Sequence, residues 1–132
     1  MSPIRRRVEA GTPWGPVVGY ARAVRVGDTI HVAGTTGLGP DGAVVPGGIE
    51  AQTRQALRNI LAALAEFGAG PEHVVRTRIF VTDIAQWEAV GRAHGEVFAD
   101  IRPASTMVEV SRLIDPAMLV EIEADAICPE AR

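Results

Sequence analysis

Val120-Glu121-Ile122-Glu123-Ala124-Asp125-Ala126 is the stretch that decides the fold, because apolar and acidic side chains alternate along it. Such alternation predicts a β-strand with one buried face and one polar face. Three carboxylates on one strand face repel one another unless water or arginine offsets their charge. Arg76 and Arg78 lie on the polar side of an earlier predicted strand and are their expected partners.

A hairpin is predicted upstream, where the β-rich runs Ala21 to Val26 and Thr29 to Ala33 are joined by Gly27-Asp28. The glycine-rich segment 34–42 that follows is interpreted as a loop. The cluster Arg5-Arg6-Arg7 is interpreted as part of a solvated first strand rather than as a phosphate-binding site.

Two helices and two more strands complete the predicted elements. Apolar residues at helical spacing predict a helix over residues 49–67, ended by Gly68 in a left-handed conformation. Asp83 predicts the start of a second helix, because its carboxylate can accept hydrogen bonds from the first turn. Residues 74–81 and 105–112 alternate as strands, with Val75, Thr77, Ile79 and Val81 expected on the buried side.

The order of these elements predicts a two-layer α+β fold with six strands and both helices on the same sheet face. Phe80, Val108 or Met107 would then leave apolar surface on the other face of a monomer. Oligomerisation would cover that surface and create clefts between subunits, where ligands commonly bind.

The composition limits the possible functions. At 132 residues the chain is expected to form a single domain, residues 1–132. All 13 basic residues are arginine, which excludes lysine Schiff-base chemistry, pyridoxal phosphate anchoring and a phosphate-loop lysine. The net charge of −3 disfavours nucleic acid as a partner.

The sequence also sets expectations for location and cofactors. Because no long apolar run is present, we expect no membrane association and no secretion signal, and hence a cytoplasmic protein. The lone Cys128 fits a reducing compartment and is interpreted as a small apolar residue at a strand end. His31 and His73 lack a partner spacing for a metal, so we expect no metal and no cofactor.

His94 lies on a predicted stripe of the second helix with Ile84, Trp87, Gly91 and Phe98. This spacing turns the imidazole toward the core side of the helix. Two interpretations stay open, a buried histidine satisfied by one hydrogen bond or a ligand-facing histidine.

Several motifs together resemble the RidA (YjgF/L-PSP) family. They are Tyr20 before a hairpin, Val32-Ala33-Gly34, the helix segment 52–60 with Asn59, Phe80-Val81-Thr82-Asp83, Pro103-Ala104 and Val120-Glu121-Ile122-Glu123-Ala124. The resemblance covers about Tyr20 to Ala126. It implies a chorismate-mutase-like fold with a six-stranded, mostly antiparallel sheet, a homotrimer with sites between subunits, and hydrolytic deamination of 2-imino or enamine acids.

In that family an arginine after Pro-Ala grips the substrate carboxylate, and a glutamate on the last strand positions the attacking water. Glu121 and Tyr20 match family site positions, whereas Ser105 replaces the arginine, Ala33 a serine and Gly91 a frequent asparagine. A guanidinium offers two charge-assisted hydrogen bonds of roughly 1.5 to 3 kcal/mol each, against about 1 for a hydroxyl. We therefore expect poor hydrolysis of 2-iminobutanoate and 2-aminoacrylate, and a preference for neutral or cationic ligands.

Glu121 is the candidate catalytic residue, as a general base toward water. Ser105 as an acyl-forming nucleophile is the weaker alternative, because no base is predicted beside it. The other residues expected to line the pocket, as substrate contacts, are Tyr20, Gly34, Thr35, Trp87, His94, Ser105, Thr106 and Met107.

Three functions are compatible with this site. The first is an enzyme that hydrolyses a small, reactive metabolite with a C=N or amide-like bond. The second is a non-catalytic small-molecule binding or sensor protein, favoured by the missing arginine. The third, a ribonuclease, is disfavoured by the acidic balance of the chain. The sequence leaves the substrate itself undetermined.

Overall fold

The computed structural model describes residues 4–130, which form a six-stranded sheet with helices packed against it. The strands are β1 (Arg5–Glu9), β2 (Ala21–Val26), β3 (Thr29–Thr36), β4 (Val74–Val81), β5 (Ala104–Glu109) and β6 (Val120–Ile127). The helices are α1 (Trp14–Val18), α2 (Gly48–Glu66) and α3 (Trp87–Phe98), with 3₁₀ turns at Pro71–His73 and Ile84–Gln86. The predicted α+β class is confirmed, and α1 is an addition that the sequence pattern did not predict.

The strands are arranged in the order β1-β2-β3-β6-β4-β5. Every neighbouring pair is antiparallel except β4 and β5, which run parallel because α3 connects them across the sheet. The alternation on β6 is confirmed, since Val120, Ile122, Ala124 and Ala126 are all buried. On the opposite face Nη1 of Arg78 lies 3.1 Å from Asp125 and 3.7 Å from Glu123, as predicted for Arg78. Among residues 4–130, the other expected partner, Arg76, is within 4.0 Å of no carboxylate.

The core lies between one sheet face and the helices α2 and α3. Gly68 ends α2 with φ +76°, as predicted for a left-handed residue after a helix. The predicted stripe on α3 is only partly right, because the buried residues there are Val90, Ala93 and Phe98. Trp87 is 55% exposed. The phase differs because Ile84–Gln86 is a 3₁₀ turn, so a 3.6-residue period counted from Ile84 does not carry into α3.

Strand β3 is longer than predicted and includes Gly34 to Thr36, which the sequence pattern had suggested were in a loop. Val32 pairs with Ala124 and Thr35 with Ile122, so three steps on β3 match two on β6. One extra residue therefore forms a β-bulge at Ala33 and Gly34. Gly34 was predicted in a loop, whereas it lies within β3 as part of this bulge.

Strands β4 and β5 carry two further corrections. Val75 was expected on the buried side but is 43% exposed, because a register shift between Val74 and Arg76 interrupts the alternation. Met107 was considered for the open sheet face, yet it pairs with Ile79 and packs against the core on the helix side. Val108 does lie on the open face and is 42% exposed.

Cys128 is buried directly after β6, which agrees with its interpretation as an apolar residue at a strand end. Across residues 4–130, the helices are all too short or too polar to pass through a bilayer.

Candidate functional site

The bulge in β3 brings the backbone of Gly34 against the side chain of Glu121. A Cβ atom built on Gly34 would lie 2.9 Å from Cδ and 3.0 Å from Oε1 of Glu121, closer than real contacts allow. Only glycine leaves room for the carboxyl group at this point. The glycine of β3 and the glutamate of β6 therefore form one unit.

The surroundings of Glu121 favour its neutral form. Burial raises the pKa of its carboxyl group, and the nearby charge of Glu123 raises it further. The positive charge of Arg22 acts in the opposite direction on the same pKa, and is the weaker effect. A carboxylate whose pKa is raised binds a proton more readily than an exposed glutamate, as a general base must.

Glu121 borders a cavity of about 300 Å³ on the open face of the sheet. Small metabolites fit a cavity of this size. Apolar side chains supply part of the wall, and polar groups converge near its floor. The lining residues are Thr12, Trp14, Val18, Tyr20, Arg22, Ala33, Gly34, Thr36, Leu38, Ile114, Met118, Glu121 and Glu123.

Helix α1 places Tyr20 at the cavity. Gly19 follows the helix with φ +80°, and its N–H donates to the carbonyl of Gly15 at 2.7 Å, which turns the chain into β2. The Tyr20 hydroxyl then lies 2.9 Å from Oγ1 of Thr12, so its ring is held from both sides of the short helix.

Arg22 is the site residue that sequence reasoning missed. Its Nη1 group donates to the carbonyl oxygen of Gly34 at 2.7 Å and to Oγ1 of Thr35 at 3.0 Å. Its guanidinium carbon lies 5.8 Å from the ring centre of Tyr20. The sequence pattern carries no signal for these contacts, because Tyr20 precedes β2 and a register shift between β1 and β2 interrupts the alternation at Arg22.

Two side chains of α2 fix the strands that carry the site. Asn59 donates through Nδ2 to the carbonyls of Thr36 at 3.1 Å and Leu38 at 2.9 Å, which holds the end of β3. The buried amide of Gln52 donates to the carbonyl of Ala117 and accepts from the N–H of Leu119, which fixes the chain as it enters β6. Glu121 follows two residues later.

Ser105 lies in a different cluster from Glu121 within the chain. Oγ1 of Thr77 donates to Oγ of Ser105 at 2.8 Å and lies 2.9 Å from Nε2 of His94. Because threonine has one hydroxyl proton, Nε2 of His94 is the donor in this arrangement. Burial lowers the pKa of His94, so its imidazole is neutral, and its ring packs 4.7 Å from that of Phe98. The geometry agrees with a half-buried histidine satisfied by one hydrogen bond.

The predicted pocket residues therefore do not form one site. They fall into two clusters, and Thr106 and Trp87 lie apart from both. Tyr20, Gly34 and Glu121 border the cavity, and Thr35 lies beneath it with a buried hydroxyl bound to Arg22. Thr106 pairs with Arg78 on the open face. It lies on β5, which β4 separates from Glu121 on β6. A second group, of Ser105, His94 and Met107, lies on the helix side of the sheet, and Trp87 is exposed at the start of α3.

Arg102 does not replace the absent arginine in this chain. Three positions before Ser105 on a continuous strand, Arg102 would point to the opposite sheet face. It instead precedes β5 with φ +53°, and its Nε donates to the carbonyl of Ala99 at 2.9 Å. The guanidinium is thereby held at the end of α3.

A wider groove of about 940 Å³ runs over the open face between Arg5, Arg7 and the β6 carboxylates. Several of its charged side chains are already paired with one another, as with Arg78 and Asp125 or with His31 and Asp125 at 2.8 Å. Within residues 4–130, histidine, cysteine and acidic side chains form no group of three that could hold a metal ion. The smaller cavity at Glu121 is therefore the better candidate site.

Comparison with known proteins assigns the family. The sequence profile described as Endoribonuclease L-PSP matches residues 12–128. The chain belongs to this family, also called RidA or YjgF. Over 121 residues it is 43% identical to an uncharacterized protein of Streptomyces coelicolor, covering 92% of this chain and 90% of that one. Over 129 residues it is 34% identical to the mouse 2-iminobutanoate/2-iminopropanoate deaminase, covering 96% and 95% of the two chains.

Solved structures support the same assignment. A Mycobacterium tuberculosis protein described as a member of the YjgF/YER057c/UK114 family superimposes with a TM-score of 0.85. It is 52% identical, and the match covers 94% of this chain and 99% of that one. The product of the YjgF gene of E. coli matches with a TM-score of 0.76 at 32% identity, over 82% and 87% of the chains. The RidA-like fold expected from the sequence is thus confirmed.

Proposed function

We propose that this RidA-family protein hydrolyses a small, reactive metabolite with a C=N or amide-like bond, using Glu121 and a water molecule. The observation that carries the proposal is the half-buried carboxyl group of Glu121, held against Gly34 at a cavity of about 300 Å³. A carboxylate with a raised pKa in such a cavity is suited to general base catalysis. Relatives named as 2-iminobutanoate/2-iminopropanoate deaminases support this choice of reaction.

For an imine substrate the chemistry needs one water and no cofactor. Glu121 accepts a proton as the water oxygen bonds to the imine carbon, and the C=N electron pair moves to nitrogen. The proton returns to that nitrogen and gives a carbinolamine. Glu121 then transfers the hydroxyl proton of the carbinolamine to nitrogen as the C–N bond breaks, which releases a carbonyl group and ammonia. The role of the pocket is to exclude bulk water and to orient the C=N bond toward the attacking water.

We also propose that the working unit is a homotrimer with clefts between subunits. Support comes from family membership and from the open sheet face, where Val108 and Val26 are 42% and 38% exposed. The second cluster, of Ser105, Thr77 and His94, lies at the edge strand β5, where a neighbouring subunit would meet it. The cytoplasmic location and a single domain over residues 1–132 stay predictions.

Ser105 limits the substrate range in this proposal. Because the family arginine is absent at this position, 2-iminobutanoate and 2-aminoacrylate are poor substrates. An imine-trapping assay beside an arginine-bearing relative measures this directly. Comparable rates for the two proteins would refute this limit on the substrates.

The role of Glu121 is tested with Glu121→Gln, which keeps the shape of the side chain and removes its basicity. Turnover of the imine is expected to fall by about 10² to 10⁴-fold, the usual contribution of a general base. Binding of the unreactive carbonyl product of that imine should change little. Unchanged turnover would refute the proposed role.

A binding or sensor function is the alternative, and it predicts that ligands are recovered unchanged after long incubation with the wild-type protein. Nucleic acid is a poor candidate partner for a chain of net charge −3. Salt-sensitive RNA binding would instead support nucleic acid as the partner.

A further inference from the structure

Arg22 presents a guanidinium to the Glu121 cavity, and none of the proposed chemistry yet uses it. Both of its side-chain hydrogen bonds to the protein come from Nη1, which faces Gly34 and Thr35. Within residues 4–130 no carboxylate lies within 4.0 Å of its nitrogens. Arg25, two residues later, is by contrast fully buried on the helix side and bound to the carbonyls of Phe67 and Cys128.

Arg22 and Glu121 converge on the same residue from two sides. The guanidinium holds the carbonyl oxygen of Gly34, while the carboxyl group packs against its Cα. The two side chains are close enough for Arg22 to affect the pKa of Glu121, yet they form no ion pair. The Arg22 guanidinium and the Glu121 carboxyl group thus line the same cavity without pairing with each other.

We propose that Arg22 anchors a carboxylate group of the ligand in the Glu121 pocket. This inference rests on the proposed function, because it concerns the ligand of the same site. A guanidinium pairs with a carboxylate through two parallel hydrogen bonds. A single negative charge fits better than a phosphate dianion, because Glu121 and Glu123 line the same cavity.

The position of this anchor differs from that of the arginine missing at Ser105. In the sheet order, β2 and β5 lie on opposite sides of β6, which carries Glu121. A carboxylate bound to Arg22 therefore lies toward Tyr20 and Gly34, where Trp14 and Val18 of the chain's own α1 line the cavity. If Arg22 anchors a carboxylate there, the sequence-based expectation of neutral or cationic ligands, which assumed a pocket without a guanidinium, does not hold. An anchor at Arg22 holds the ligand at a different position from an arginine at 105, so poor turnover of 2-iminobutanoate and 2-aminoacrylate is still expected.

The experiment compares the binding of pyruvate with that of pyruvamide, its uncharged amide, by isothermal titration calorimetry on the whole protein. Wild type is expected to bind pyruvate at least about tenfold more tightly, since the uncharged amide cannot form the charge-assisted pair with a guanidinium. Arg22→Gln should abolish this preference and leave pyruvamide binding within about twofold. Arg58→Gln, the same charge change at an exposed position of α2, should keep it.

A second measurement uses the wild-type protein, so that it does not depend on how Arg22→Gln folds. The Nε–Hε NMR signal of Arg22 is expected to shift when pyruvate is added and to stay in place with pyruvamide. Equal binding of the two compounds, or an unchanged signal with pyruvate bound, would overturn the assignment. Neither outcome depends on turnover, so a failure of hydrolysis at Glu121 is recognised separately by the Glu121→Gln variant.

Discussion

Gly34 and Glu121 show how one small residue can set the properties of an acid. The missing Cβ lets the carboxyl group lie against the backbone of β3, where it loses part of its hydration. The same burial raises its pKa and makes the ionised form costly to the fold. Stability from this group is therefore present while it is protonated and is lost as pH rises through its folded pKa.

Gly34→Ala is expected to lower turnover by about tenfold to a hundredfold, because a Cβ at this position displaces the Glu121 carboxyl group. The acid is the flexible end of a side chain and can move, so the fold should persist. Steady-state rates and circular dichroism measure the two effects. Gly91→Ala is the control, since its Cβ would meet no atom within 4 Å. Full activity in Gly34→Ala would contradict this contact.

Glu123 should set the pH at which Glu121 begins to work. Its charge raises the pKa of Glu121, so Glu123→Gln lowers that pKa and keeps Glu121 ionised to lower pH. The acid limb of the rate–pH profile is then expected to move to lower pH. Glu88→Gln, an exposed acid on α3, should leave the limb in place. An unmoved limb in Glu123→Gln would mean that another group controls the rate.

At the scale of elements, the bulge in β3 matters most, because it turns Gly34 toward β6 and lets Arg22 hold its carbonyl. Asn59 of α2 then holds the strand end through the carbonyls of Thr36 and Leu38. The β3 bulge and the Asn59 side chain of α2 therefore position the site, and the regular part of the sheet supports both.

The sequence predicted the regular part of this arrangement and missed the irregular part. Alternation on β6 and the hairpin of β2 and β3 follow from short-range rules, so they were predictable. The bulge at Gly34 was not, because glycine in a strand and glycine in a loop look alike without the pairing partner. The prediction of which α3 residues face the core was only partly right, because a 3₁₀ turn precedes the helix and shifts the spacing.

The sequence likewise predicted some residues of the candidate site and missed others. Tyr20 and Glu121 were found through the family resemblance, and both border the cavity. Arg22 was not predicted, because its contact depends on the bulge that brings Gly34 to it. Such a contact between neighbouring strands needs the register of the sheet, which a sequence alone does not give.

Asn59→Ala tests the link between α2 and β3. It leaves the carbonyls of Thr36 and Leu38 without their donor, which is expected to lower the free energy of unfolding by about 1 to 3 kcal/mol. Urea denaturation measures the change. Arg58→Ala, at the exposed neighbouring position, is the control and should differ from wild type by less than about 0.5 kcal/mol. Equal midpoints for the two variants would remove Asn59 from this role.

At the scale of the whole molecule, the two sheet faces are unequal. One face is covered by α2 and α3, while the other carries the charged row of β6, the cavity and partly exposed valines. Apolar side chains of this kind on a sheet face usually mark a surface that another protein covers. In the proposed trimer, other copies of the same chain cover this face. The Ser105 cluster, at the edge strand β5, would then lie at a boundary between subunits.

Val108→Asp is expected to weaken this assembly, because it places a new charge on the open face at the edge strand β5. Light scattering after gel filtration should give three times the chain mass of 14.0 kDa for wild type and a smaller mass for the variant. Ile84→Asp is the control, since Ile84 is similarly exposed, at 39%, but lies in the turn before α3. If the cleft between subunits completes the site, the specific activity of Val108→Asp should rise with protein concentration as trimers re-form. A wild-type monomer with full activity would show instead that one chain holds the whole site.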